Sequence, residues 1–122
     1  VGDLDLDDLQ FTKRKYDNNS SYRQSKACDR ILTVAFSNLL KDKNVMVNSC
    51  HPGDVNSTLS NDLGFGGSET PDEGAETPVY VATNPKLANV TGKYFEHKHE
   101  SNCRYSSDKQ LVEKLFEICS GF

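Results

Sequence analysis

Apolar residues recur at helical spacing in two stretches of the chain. Cys28, Ile31, Leu32, Ala35, Phe36, Leu39 and Leu40 follow i, i+3, i+4 over three turns, which predicts an amphipathic helix. Ser20 and Ser21 are its candidate N-caps. Lys41, Lys43 and Asn44 supply cations and a stop at its far end. Leu111, Val112, Leu115, Phe116 and Cys119 form the second stripe, opened by Ser107 with Gln110 as a capping box and closed by Gly121. A third helix starts at Thr70 (N-cap), Pro71 (first turn) and Glu73 (box partner). It carries Ala75, Val79, Tyr80 and Ala82, and Pro78 inside it forfeits the bond to residue 74, which is glycine.

Residues 45–50 are β-branched at alternate places and read as a strand, ended by Pro52 and Gly53. Thr91 and Gly92 turn into a second short strand containing Tyr94 and Phe95, both expected in the core. Residues 1–19 have no sustained period and read as a loop with at most a turn of helix. Residues 54–70 read as a glycine-rich loop, and residues 97–103 as a polar surface stretch. A helix feeding directly into a strand that stops at Pro-Gly is an α/β unit.

Composition narrows the classes. Hydrophobic residues are 35% of 122, low for a domain that must close its own core. Lys+Arg is 14 and Asp+Glu 18, a net charge of −4 with the signs interspersed, so nothing here attracts nucleic acid. No apolar run reaches bilayer length and the start lacks a signal-peptide pattern, so the expected location is cytoplasmic. Cys28, Cys50, Cys103 and Cys119 are widely spaced, which reads as reduced thiols rather than a disulfide framework. The chain starts at Val1 with Met46 as its only methionine, which fits a mature chain or an excised piece of a longer one.

The candidate chemistry begins at Tyr22-Arg23-Gln24-Ser25-Lys26. On a helix, i and i+4 stack on one face, so the spacing sets a phenol beside an ammonium. A neighbouring cation favours the phenolate, and a phenol so placed can exchange a proton with an alcohol or carbonyl. Spacing alone also fits an ordinary surface pair. Other constellations are weaker. Asp3, Asp5 and Asp7 alternate like a calcium loop, but Asp8 stands where glycine is needed and Arg14 where the bidentate glutamate is needed. His97, His99 and Cys103 have no fourth zinc ligand nearby. Cys50 and His51, adjacent on a strand, point to opposite faces and cannot pair as nucleophile and base. Gly64, Gly66 and Gly67 do not complete a dinucleotide turn.

Taken in order, the Tyr22/Lys26 pair, the helix after it, Val47-Asn48-Ser49-Cys50-His51-Pro52-Gly53 with Val55, the Thr70-to-Ala75 segment and Gly92-Lys93-Tyr94-Phe95 resemble the C-terminal half of a short-chain dehydrogenase/reductase. The likeness is to the branch with retinol-dehydrogenase-like and WW-domain-oxidoreductase-like proteins, and it covers nearly the whole chain. It implies an α/β fold, the C-terminal portion of a doubly wound parallel-sheet domain, with residues 1–122 as a partial domain lacking its cofactor-binding first half. It implies an NAD(P)-dependent oxidoreductase interconverting an alcohol and a carbonyl on a hydrophobic small molecule, with NADP favoured over NAD by branch. Tyr22 would be the general acid/base. Lys26 would hold the nicotinamide ribose and assist Tyr22. Pro52, Gly53, Val55 and Ser57 would line the nicotinamide, Ser57 standing near the family's threonine with Thr58 adjacent. Residues 59–69 would be a mobile substrate lid. The resemblance allows a homodimer and implies no metal. The family's glycine-rich turn and upstream serine have no counterpart here, the first serine being Ser20. A truncated, non-catalytic relative acting as an interaction module is the alternative.

Overall fold

The structure, a computed structural model, describes residues 4–122; the start of the acidic stretch, with Asp3, lies outside them. Helix α1 spans Asn18–Leu40. Its N-cap is Asp17, whose carboxylate accepts the Ser20 N–H at 2.8 Å, not Ser20 or Ser21. Asp caps as well as Ser does and stands three residues earlier, so Tyr22 and Lys26 lie deeper in the helix than the serine caps imply. A 3-10 turn, Lys41–Lys43, ends it, with Asn44 left-handed at φ 57°.

Strand β1 is Ser49–His51, shorter than the expected 45–50. The chain before it is held by side-chain rungs instead of a ladder. Val47 N–H donates to Thr91 Oγ1, Asn48 Nδ2 donates to Val90 O, and Lys93 N–H donates to Asn48 Oδ1. Gly92, at φ +74°, turns the partner segment out of the extended conformation, so regular pairing begins only at Ser49. Helix α2 is Thr58–Asp62 and helix α3 is Pro71–Thr83, with the Thr70/Glu73 capping box formed as expected. Strands β2, Tyr94–Glu96, and β3, His99–Ser101, form a hairpin across the stretch expected to be a polar loop. Helix α4 is Lys109–Ser120, capped by Asp108 rather than Ser107. Asp108 Oδ1 accepts the Leu111 N–H at 3.1 Å.

The sheet order is β1-β2-β3, with β1 parallel and β3 antiparallel to β2. Tyr94 and Phe95 are consecutive, so they face opposite sides, and each side has its helix. Arg30 of α1 lies over the Tyr94 ring at 4.4 Å, while Tyr80 of α3 meets Phe95 edge-on at 6.4 Å. This mixed α/β architecture is that of part of a Rossmann-type domain, the class expected. A parallel strand pair covered on both faces is its signature.

The main core lies between α1 and α4, where Ile31 and Leu115 are fully buried with Val112. Burying a side chain of this size contributes about 1.5–3 kcal/mol. Cys28, Leu32, Ala35, Leu111 and Cys119 pack around them, as the two stripes require. Phe36 and Leu39 of the same stripe remain exposed. Leu4, Leu6 and Leu9 join this core although their segment has no periodicity. Asp8 makes that possible. Its carboxylate accepts the Thr12, Lys13 and Arg14 N–H groups and the Thr12 hydroxyl. Gln24 of α1 then ties the turn down: its Oε1 accepts the Asp5 N–H and Arg14 Nη2, and its Nε2 donates to Leu9 O.

Two predictions follow from this packing. Burial alone would raise the Asp8 carboxyl, but the hydrogen bonds from Arg14, Lys13 and Thr12 outweigh it and bring it down to about 2. A carboxylate lowered in the fold stabilises above its unfolded value, about 3.9, and that contribution fades as pH falls toward 2. Acid titration of the melting temperature should therefore show a loss between pH 4 and 2 that shrinks in Asp8→Asn; equal acid slopes would remove Asp8 as its source. The other concerns Gly74, where an added Cβ would lie 2.4 Å from Val55 Cγ2. Helix propensity favours Gly74→Ala by about 1 kcal/mol, yet overpacking costs about 1–3 kcal/mol. Net destabilisation by about 1 kcal/mol is expected, relieved in the Gly74→Ala/Val55→Ala double variant; a stabilised single variant would show that Val55 moves freely.

Candidate active site

Tyr22, Lys26 and Arg30 are spaced by four and share one stripe of α1, distinct from the apolar stripe that faces α4. Two contacts fix where this second stripe points. Arg30 covers Tyr94, the first residue of β2, and Ser37 Oγ lies 2.6 Å from where a Cβ on Gly92 would stand. Moving back along α1 from Ser37 to Arg30 therefore moves forward along β2. Lys26 and Tyr22 continue in that direction, toward the carboxyl ends of β1 and β2. In open α/β sheets that is the edge where ligands bind.

Tyr22 is exposed, at 62% of its full area. Lys26 Nζ lies 5.7 Å from the Tyr22 ring centroid, and 3.5 Å from Asp29 Oδ2. The lysine thus rests on the ring face, with a half-exposed carboxylate sharing its charge. Tyr94, which also lies beside a cation, differs from Tyr22. It is buried, its hydroxyl donates to Glu96 Oε1 at 2.7 Å, and burial with the Glu96 acceptor pushes it up to about 12 against the opposing Arg30. Tyr94 is locked in the core; Tyr22 is free to meet a ligand.

At the end of β1, Pro52 and Gly53 make the expected turn, with Gly53 at φ +97°. His51 holds it: Gly53 N–H donates to His51 Nδ1 at 2.8 Å. In the neutral ring the proton must then sit on Nε2. Spacing had missed this role, although an acceptor two residues before a glycine is its signal. Cys50 faces the other side of the sheet, opposite Phe95 in register, and burial raises its thiol. Burial likewise pushes Cys28 up to about 11, with Cys119 and Asp29 adding to it. Neither thiol is an activated nucleophile.

Val55 pairs with Glu69 in a parallel bridge and packs on Gly74. Ser57 caps α2, its Oγ accepting the Ser60 N–H at 3.1 Å, which leaves its own O–H free to donate. Residues 59–69 are more ordered than a featureless loop. α2 opens them, and their neck is closed by Asn56 N–H to Glu69 O at 2.8 Å and Glu69 N–H to Asp54 O at 2.9 Å. Within them Leu59, Leu63 and Phe65 are exposed. Cys103 is buried while His97 and His99 are exposed, and among the described residues no cluster of three His, Cys, Asp or Glu could hold a metal ion. Among the described residues no helix is long and apolar enough to cross a membrane.

No family model matches the chain. Comparison with curated proteins is decisive instead. Human retinol dehydrogenase 14 is 30% identical over 131 residues, 96% of this chain and 39% of that protein. A probable oxidoreductase of Streptomyces antibioticus is 32% identical over 125 residues, 88% of this chain and 42% of its own length. The short-chain dehydrogenase TIC 32 A, chloroplastic, of Brassica napus is 30% identical over 117 residues, 85% of this chain and 37% of its own length. The chain is thus similar, over 85% or more of its length, to part of retinol-dehydrogenase-like short-chain dehydrogenases/reductases. The chain spans about two fifths of the length of the curated relatives it matches.

The residues present fit one end of a nicotinamide dinucleotide. Gly53 makes a turn whose side-chain space the Glu69 carboxylate occupies, and Tyr22 and Ser57 offer hydroxyls. A pyrophosphate needs a glycine turn leading into a helix N-terminus, and no described helix is preceded by one. The turn at Gly53 depends on His51 as acceptor. His51→Ala should speed Gly53 amide exchange and cost about 0.5–1.5 kcal/mol. His51→Asn should restore most of it, because an Asn side chain accepts from the N–H two residues on. Unchanged Gly53 exchange in His51→Ala would dismiss the imidazole's role.

Proposed function

We propose that this chain is the proton-transfer portion of an NAD(P)-dependent oxidoreductase that interconverts an alcohol and a carbonyl on a hydrophobic small molecule. The observation that carries it is the second stripe of α1. Contacts of Arg30 and Ser37 direct that stripe along the sheet, and Tyr22 and Lys26 lie on it toward the carboxyl end, where Pro52 and Gly53 turn. Relatives named as dehydrogenases and oxidoreductases support the same class of chemistry.

In this reading the cofactor supplies the hydride. For reduction, the Tyr22 hydroxyl gives its proton to the substrate oxygen as the carbonyl carbon is reduced; for oxidation it takes that proton back. Lys26 turns from the Tyr22 ring and Asp29 to the ribose hydroxyls, and its charge favours the tyrosinate left after transfer. Pro52, Gly53 and Val55 form the wall beside the nicotinamide, and Ser57 donates its free O–H there. Residues 59–69, hinged at a closed neck, bring Leu59, Leu63 and Phe65 over an apolar substrate and exclude water. NADP is preferred over NAD in this proposal on branch likeness alone.

The reading also makes residues 1–122 part of a larger domain. β1 has a neighbour on one edge only among the described strands. The accessible surface is 8288 Å², where a compact monomer of this mass exposes about 6,600 Å². Further chain that pairs with β1 and supplies the pyrophosphate turn accounts for both.

The test uses the full-length protein. Tyr22→Phe should lower kcat by about 10²-fold or more with cofactor affinity retained. Lys26→Met should weaken cofactor binding and also lower kcat. Near-normal turnover in Tyr22→Phe would end the assignment, and unaltered affinity in Lys26→Met would leave Lys26 a surface charge.

A further inference from the structure

The space that glycine leaves open at position 53 is filled by the side chain of Glu69. A Cβ on Gly53 would lie 1.7 Å from Glu69 Oε2, 2.5 Å from its Cδ and 2.8 Å from Oε1. The whole carboxylate is therefore laid against the turn. Its backbone is fixed there by the Val55 bridge and by the hydrogen bonds to Asp54 and Asn56. Among the described residues no donor reaches this carboxylate. The nearby ammonium of Lys98 is taken by Glu76 at 2.7 Å, and the Thr70 N–H by Glu73. Beside it opens a cavity of about 250 Å³, lined by Pro52, Thr77, His97 and Lys98 and by three carboxylates, Glu69, Glu73 and Glu76. A negative charge is thus held, without a partner, on the surface of the Pro52–Gly53 turn.

We propose that Glu69 sets the redox-state preference of this site by favouring the oxidised, cationic nicotinamide ring over the reduced, neutral one. The inference rests on the dehydrogenase reading, which runs the nicotinamide along Gly53. The two redox forms differ by one positive charge on that ring and are otherwise nearly the same size and shape. A carboxylate against the turn attracts only the charged form. A pair of this kind, partly solvated, changes affinity by about five- to tenfold. Tighter binding of the oxidised form makes the bound couple a stronger hydride donor, because the two equilibria are linked. Glu69 thereby biases the site toward carbonyl reduction.

The experiment is Glu69→Gln in the full-length protein, with dissociation constants for NADP+, NADPH, NAD+ and NADH measured by calorimetry. Glutamine keeps the size and one acceptor oxygen, so a hydrogen bond to the carboxamide, equal in both forms, survives the change. The expected result is a five- to tenfold loss of affinity for the oxidised forms and less than a twofold change for the reduced forms. Glu69→Lys should invert the ratio further, which guards against compensation by neighbouring carboxylates. An oxidised-to-reduced ratio unaltered in both variants, with dinucleotide still bound, overturns this proposal alone. Failure of the unmodified protein to bind any of the four overturns it together with the dehydrogenase reading.

Discussion

The fold depends on α1 serving two neighbours at once. One stripe buries Ile31 against Leu115 and Val112 of α4. The other sets Arg30 over Tyr94 and Ser37 against Gly92. A helix loaded on one side only could roll about its axis; loaded on both, its rotation and its direction relative to the sheet are fixed together. Arg30 suits the task because a guanidinium plane stacks on an aromatic face while its nitrogens stay hydrated. Gly92 suits it because any side chain there would strike Ser37. The orientation of Tyr22 and Lys26 is a consequence of these distant contacts, since neither residue is itself held by the core.

A similar economy governs the far side of the site. Gly53, Gly67 and Gly74 each lie where a Cβ would collide, with Glu69, with the backbone of Val55 and Asn56, and with the Val55 side chain respectively. Three glycines thus let the segment from Pro52 to Val55 be clasped between the end of the 59–69 loop and the start of α3. The capping box at Thr70 fixes the direction in which α3 leaves that clasp. The result is a firm frame around a segment that carries Leu59, Leu63 and Phe65 exposed.

Features decided within a few residues were legible in the sequence. The Thr70 box, most of the two helix stripes and the placing of Tyr94 and Phe95 in the core stand as read; Phe36 and Leu39 are exposed, and the caps fall on Asp17 and Asp108 instead of Ser20, Ser21 and Ser107. Features decided across the chain were not. β3 escaped because its hairpin turn uses His97 and Lys98 in left-handed conformations, φ 47° and 62°, where such turns ordinarily use Asn or Gly. β1 came out short because Thr91 and Asn48 replace ladder bonds with side-chain ones. The leucines of the first segment gave no period because a turn around Asp8, rather than a helix or strand, brings them to the core. At the site, the Tyr22/Lys26 spacing was readable, but its direction was not: the obvious apolar stripe points to α4, and only Arg30 and Ser37 mark the other face. Glu69 left no trace, since its contact with Gly53 spans sixteen residues and follows no motif.

The unequal burial of the two halves of α1 carries the argument about extent. Near α4, residues such as Ile31 are at 0% exposure, while Phe36 and Leu39, on the same stripe, stand in the open. Phe36 meets Phe116 of α4 edge-on and is otherwise open. Leaving such residues exposed forfeits about 25 cal/mol for each Å² of apolar area. Val45 is exposed as well, and among the described strands β1 has a neighbour on one edge only. Parallel strands are ordinarily buried on both faces and paired on both sides. On the proposed reading, an exposed apolar helix face and an open parallel edge both suit a further strand with its own covering helix. That is the unit from which doubly wound sheets are built.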